Sequence, residues 1–175
     1  MKRLTRKAKK PAQGFTLIEV LVVIGMLAIL STVVLVAVNP LRQFAQARNS
    51  QRESDVATLL NAISERIVDE GGTFSVPGDQ TGCTVALPST PTVIGNAHPD
   101  DLDLRPCLVS TYLTELPHDP STGSNTCTTQ TCSGTSEHYY LNYTVALDPG
   151  TNRVTVCEPT EEPAIDQSAP FCLSR

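Results

Sequence analysis

The strongest constraint on this chain is a run of 24 residues, 15–38, in which Glu19 is the only ionisable side chain. Wound as an α-helix, such a run is about 36 Å long, more than the roughly 30 Å of hydrocarbon in a bilayer. It is read as a single membrane span. Ahead of it, MKRLTRKAKKPAQG carries Lys2, Arg3, Arg6, Lys7, Lys9 and Lys10 and no acid. Basic flanks of this kind stay on the cytoplasmic side, so everything beyond Asn39 is expected outside. An ordinary secretory signal has a shorter apolar centre with its cleavage site behind it. Here the small residue, Gly14, stands in front of the apolar run, and cutting there leaves the hydrophobic helix on the mature chain.

Glu19 then needs an explanation, because an ionised carboxylate in hydrocarbon is expensive unless it has a partner. The sequence GFTLIEVLVVIGMLAIL, residues 14–30, resembles the class III signal of type IV pilins and of the pseudopilins of type II secretion. The resemblance is strongest over residues 10–38. It implies that a prepilin peptidase in the inner membrane cuts between Gly14 and Phe15 and methylates the new amine of Phe15. It also implies an assembly role for Glu19. The cut would place a cationic amine one helical turn from that carboxylate, and pairing the two within or between subunits would help set the register of a filament. Further partners follow from the same resemblance: copies of the chain in a helical filament, an inner-membrane assembly platform and minor pilins. The implied location is a single pass in the inner membrane with the head outside, followed by a surface pilus or a periplasmic pseudopilus.

Beyond the span, Val56, Leu59, Leu60, Ile63 and Ile67 recur at helical spacing. This phase assigns Asp55, Ser64, Arg66 and Asp69 mostly to other faces, and Gly71 and Gly72 stop the pattern. The expectation is one long helix, membrane-embedded over 15–38 and amphipathic over 39–70. Pro40 should break it somewhere in 36–41, either as the exit from the membrane or as a hinge for assembly. Arg42, Arg48 and Arg52, followed by Glu53 and Asp55, read either as a solvated face or as intersubunit pairs.

Residues 71–175 read as a β-rich head, rich in Thr, Ser, Pro and Gly. Strand-like runs occur at 73–76, from Cys83, from Thr92, from His138 and from Asn152, the last two joined by the turn DPGT. Packed on the apolar stripe of the helix, they give a small pilin-like α+β fold with an antiparallel sheet. The modest core needs staples. Cys83, Cys107, Cys127, Cys132, Cys157 and Cys172 all lie in this head, an even count on the exported side that favours disulfides. Of the fifteen possible pairings, 83 with 107, 127 with 132 and 157 with 172 is preferred. The last would bound a segment reminiscent of the C-terminal region of many pilins. Zinc on Cys127, Cys132 and His138 competes weakly, for want of a compact C-x2-C pair.

The segment TELPHDPSTG holds a turn at Asp119, Pro120 and Gly123 and resembles the LP-x-DP segment of major pseudopilins. Some of these bind calcium nearby. Asp119 with Asp148, or Asp100, Asp101 and Asp103, offers hard oxygen ligands. No loop has the acid spacing of a recognised calcium motif, so solvated acids are the preferred reading and no cofactor is assigned. His98, His118 and His138 are scattered, and no hydrolase elbow, phosphate loop or metalloprotease helix occurs, which argues against an enzyme. Asn142 begins the sequon NYT. Six of the 13 basic residues lie in the leader, so the remainder holds 7 against 18 acids, a side-chain net charge of −11 with no lysine. Such a surface repels nucleic acid, and direct binding to it is not expected. The functional classes in play are a type IV pilin serving adhesion, twitching motility or DNA uptake, a major pseudopilin of type II secretion, and a membrane-tethered binding module that never polymerises.

Overall fold

The computed structural model describes residues 14–37, 39–76, 82–127, 132, 137–158 and 170–175. Residues 1–13, all but the last of the expected leader 1–14, and most of the segment between Cys157 and Cys172, 159–169, lie outside the described residues. The chain divides into two units, Met1–Pro40 and Leu41–Arg175.

In the first unit, helix α1 spans Leu17–Ala37. Thr16 starts it, its Oγ1 accepting the Glu19 amide at 3.3 Å. Thr16 and Glu19 have the spacing of a capping box, and an acid in the first turn suits the helix dipole. Ser31 and Thr32 return their hydroxyls to the carbonyls of Leu27 and Ala28, at 2.7 and 2.9 Å. Residues 14–34 are all exposed, and Leu17–Val34 is long and apolar enough to cross a membrane.

Helix α2 spans Pro40–Asp69. Pro40 is its first residue, not an interior one, and at that position the missing N–H would have had no helical partner. The apolar stripe is buried as the spacing implies: Val56, Leu59 and Ile63 are inaccessible and Leu60 nearly so. Two expectations fail. Asp55 and Arg66 are also inside, 4% and 1% exposed, and so are Asn49 and Arg52 from the supposed charged face. The helix stops where Gly71 and Gly72 take positive φ, 72° and 101°, letting the Gly72 amide reach back to the Ile67 carbonyl at 2.7 Å.

The head is built on strand β3, Tyr139–Asp148. Strand β1, Thr92–Gly95, pairs with it antiparallel, and β4, Arg153–Cys157, returns along residues 144–148. The short β2, Ser124–Asn125, takes Tyr139 and Tyr140, and β5, Cys172–Ser174, closes the far edge on β4. The spatial order is β1-β3-β4-β5. Alternate residues Tyr139, Leu141, Tyr143 and Val145 point inward and are fully buried, joining Val154 and Val156 and the stripe of α2 in one core. Residues 73–76 and 83–88 are not strands. Their backbone bonds go elsewhere: Phe74 gives its carbonyl to Arg66 and Pro88 gives its own to Leu147. A four-residue helix α3, Arg105–Leu108, lies where none was expected.

Three disulfides join Cys83 to Cys107, Cys127 to Cys132 and Cys157 to Cys172. The first ties the chain after α2 to α3, and the last links residues directly opposite in β4 and β5. Loop length ranks their worth, since a longer closed loop removes more freedom from the unfolded chain. Replacing Cys83 and Cys107 by alanine, a separation of 24, should lower the unfolding free energy by about 3.5 kcal/mol. The same change at Cys127 and Cys132, a separation of 5, should cost about 2 kcal/mol. Denaturant unfolding of the detergent-solubilised chain measures both.

Candidate functional site

At the N-terminal end, Gly14 and Phe15 lead directly into α1, and Phe15 is 83% exposed. Phe15 and Glu19, four residues apart and therefore on one side, border a concavity of about 300 Å3 with Val20 and Val23. This segment matches a family model described as the prokaryotic N-terminal methylation motif, over residues 9–35. The chain carries a pilin-type class III signal. That signal is typical of the type IV pilin and pseudopilin family and implies processing by a prepilin peptidase and methylase. No curated protein and no solved structure matches the chain. The pilin-type signal, an apolar helix long enough to cross a membrane and the three disulfides all match features of that family.

Behind the signal, the seam between α2 and the head is held by buried charge. Arg52 donates from Nε to Asp119 Oδ2 at 2.5 Å, from one terminal nitrogen to Asn49 Oδ1 at 2.8 Å and from the other to Ser121 Oγ at 2.6 Å. Asp119 Oδ1 accepts the amides of Ser121 and Thr122, both at 2.8 Å, and both their hydroxyls. Burial alone would raise this carboxyl, but the Arg52 guanidinium and the Thr122 and Ser121 donors outweigh it and hold Asp119 well below the usual carboxylate range. The turn closes tightly enough that a Cβ at Gly123 would lie 2.6 Å from the Asp119 nitrogen. Asp55 accepts from the Tyr143 hydroxyl at 3.0 Å and from Gln51 at 2.8 Å, and burial raises its pKa.

Two further buried cations extend this pattern. Arg66 donates to the carbonyls of Phe74 and Cys107 at 2.9 and 3.1 Å, with its guanidinium 5.4 Å from the Phe74 ring centre. Arg105 pairs with Glu115, whose carboxyl is lowered by that contact. Tyr139 reaches Asp103 at 2.6 Å. Glu158 is the exception: its Oε2 is buried with no hydrogen-bond partner among the described residues, and desolvation raises its pKa.

Of the acids considered for calcium, Asp119 and Asp148 are engaged and apart. Asp119 sits beside Leu141, whose carbonyl takes its amide at 3.0 Å. Asp148 ends the same strand seven residues on, roughly 23 Å away along an extended chain, and binds its own turn through Gly150 and Thr151. Asp101 holds His98, and Asp103 serves Tyr139 and Arg105. Among the described residues no three His, Cys, Asp or Glu side chains form a metal-binding group. Cys127 and Cys132, weighed for zinc with His138, are bonded to each other. Asn142 is buried, with its amide nitrogen on Thr122 Oγ1 at 2.7 Å, so the sequon does not present an accessible acceptor.

Thr16 and Asn49 were overlooked in the sequence, and Arg52, Asp55 and Arg66 were read there as surface charges. A signal for most of them existed: 45, 49, 52, 56, 59, 63 and 66 form one unbroken series at steps of three and four, with polar residues at core positions. Because the pKa of Asp119 is depressed in the folded state, its stabilising contribution is complete above the ordinary carboxylate range and is lost as pH falls through the folded value. Asp119→Asn leaves Arg52 buried without its counter-charge. It should cost about 3–5 kcal/mol at pH 7, with the gap to the parent protein narrowing below about pH 4; thermal unfolding across that range reads it.

Proposed function

We propose that this chain is a structural subunit of a type IV pilus filament. The supporting observation is the methylation motif over residues 9–35 running into a helix whose residues 17–34 are all exposed. In this reading the peptidase cuts between Gly14 and Phe15, methylates Phe15 and leaves the subunit anchored in the inner membrane. An assembly platform then lifts it into a helical filament in which α1 lies among copies of itself. Leu17, Val20, Leu21 and Ile24 exchange lipid contacts for packed ones, so close fit drives association more than hydrophobic transfer does. The Phe15 amine and Glu19 pair in that low-dielectric bundle and set the axial register. Force for extension comes from cytoplasmic ATPases, and minor pilins initiate or end the polymer. The head, with its side-chain net charge dominated by acids, faces solvent and carries adhesion, motility or uptake contacts.

A second reading, the major pseudopilin of a type II secretion system, is favoured by one specific feature, the LPHDP segment at 116–120. Shearing surface filaments from the native cells and measuring intact mass separates the two. Abundant sheared chains beginning at methylated Phe15 and carrying three disulfides are expected. A processed chain that stays in the membrane fraction moves the reading to the pseudopilin, and an uncut Gly14–Phe15 bond in cells with a working peptidase overturns both.

Glu19→Ala should leave cleavage intact while removing sheared filaments. If filaments persist at the parent level, Glu19 has no register role and a tethered binding module gains ground.

A further inference from the structure

Strand β4 buries every second residue, with Val154 and Val156 inside and Arg153 in water. The next position in that series is Glu158, and it is only 3% exposed. A carboxyl group thus stands where the alternation has placed two valines. The backbone remains in the ladder, the Glu158 amide donating to the Phe171 carbonyl at 3.0 Å. The side chain fares worse: Oε2 is buried and accepts no hydrogen bond among the described residues.

Burial is the largest influence on this carboxyl and favours its neutral form. Among the described residues, Arg52 of α2 and the Phe171 backbone favour the charged form, while Glu53 of α2 and Asp119 oppose it. Arg52 is already bound to Asp119 at 2.5 Å, and to Asn49 and Ser121. The balance makes Glu158 hold its proton to higher pH than an exposed glutamate does.

An acid misplaced at the end of a strand can ordinarily reach water by fraying the last pair. Here the preceding residue, Cys157, lies directly opposite Cys172 and is bonded to it. The crosslink fixes the pairing of β4 and β5 one residue from Glu158, so the side chain cannot leave its core position by local fraying.

We infer that Glu158 is a pH-sensitive latch: the Cys157–Cys172 bridge keeps it in a core site that accepts the neutral carboxylic acid, and its ionisation loosens the contact of β4 with α2. The inference goes beyond the filament reading and does not depend on it. Ionised, Glu158 adds a charge beside Glu53 and Asp119 and leaves Oε2 with nothing to accept from, a costly state for a buried carboxylate. The pH dependence is opposite in sign to that of Asp119. The folded chain binds the Glu158 proton more tightly than the unfolded chain, so stability falls as pH rises from the ordinary glutamate range through the folded value. The head is firmest in mildly acidic surroundings and loosens in alkaline ones.

The test compares Glu158→Gln with the parent chain, both full length in an uncharged detergent, by thermal unfolding from about pH 3.5 to about pH 8. All other titrating groups are common to both chains and cancel in the difference. A buried amide may shift the midpoint by a constant; the inference concerns only the change with pH. Relative to its value at the acid end, the midpoint of Glu158→Gln should gain a few degrees on the parent as pH rises. A difference that stays flat, or that moves in favour of glutamate, overturns the latch. Should Glu158→Gln not fold, Glu158→Leu, apolar like Val154 and Val156, must show the same dependence or overturn it equally. Repeating the comparison with Cys157 and Cys172 both changed to alanine isolates the bridge. There the gain should shrink, because Glu158 can reach water, and a gain of undiminished size overturns the role given to the disulfide.

Discussion

The head of this protein depends on a charge pair taken out of water. Arg52 and Asp119 are both at most 1% exposed, and such burial is tolerable only when nearly every donor and acceptor is used. That condition is met here. The guanidinium spends its bonds on Asp119, Asn49 and Ser121, and the carboxylate takes four more from the turn that holds it. Apolar packing along Val56, Leu59 and Ile63 would let α2 slide or rotate over the sheet at modest cost. The pair forbids this, because any other register strands a buried charge. Tyr143 on Asp55 and Arg66 on two carbonyls repeat the constraint farther along the helix. The helix and sheet are thereby locked as one body.

This use of arginine also shapes the surface. Beyond the leader the chain has seven arginines and no lysine, and three of the seven, Arg52, Arg66 and Arg105, are inside. Internal bidentate and carbonyl contacts suit the guanidinium fork, which a lysine could not reproduce. The outer surface is left strongly acidic, while Arg42 and Arg48 remain near the start of α2.

Much of the architecture was legible in the residues. The apolar helix, the stop at Gly71 and Gly72, strands β1, β3 and β4 and the turn between the last two all follow from periodicity or turn chemistry, which are local properties. The runs at 73–76 and 83–88 misled for an instructive reason. Their composition suits strands, but no neighbouring strand takes their backbone groups; Arg66 and Leu147 do. Strands β2 and β5 and helix α3 are too short for periodicity to register, and are held by pairing with distant residues and by the Cys157–Cys172 and Cys83–Cys107 bridges.

By itself the sequence determined the parts whose physics is contiguous: a basic leader, a methylation motif, an apolar helix long enough to span a bilayer, and Glu19 one turn into it. Each of these is decided by residues within a few turns of one another, so no folded partner is needed to read them. Only the tertiary structure decided which charges are buried. Arg52 and Asp119 are 67 residues apart, and Asp55 and Tyr143 are 88 apart. Taken alone, each is an ordinary polar residue on a helix face, a strand or a turn. Their roles arise when folding brings them together away from water, where an unpaired charge costs several kcal/mol and a satisfied one fixes the arrangement.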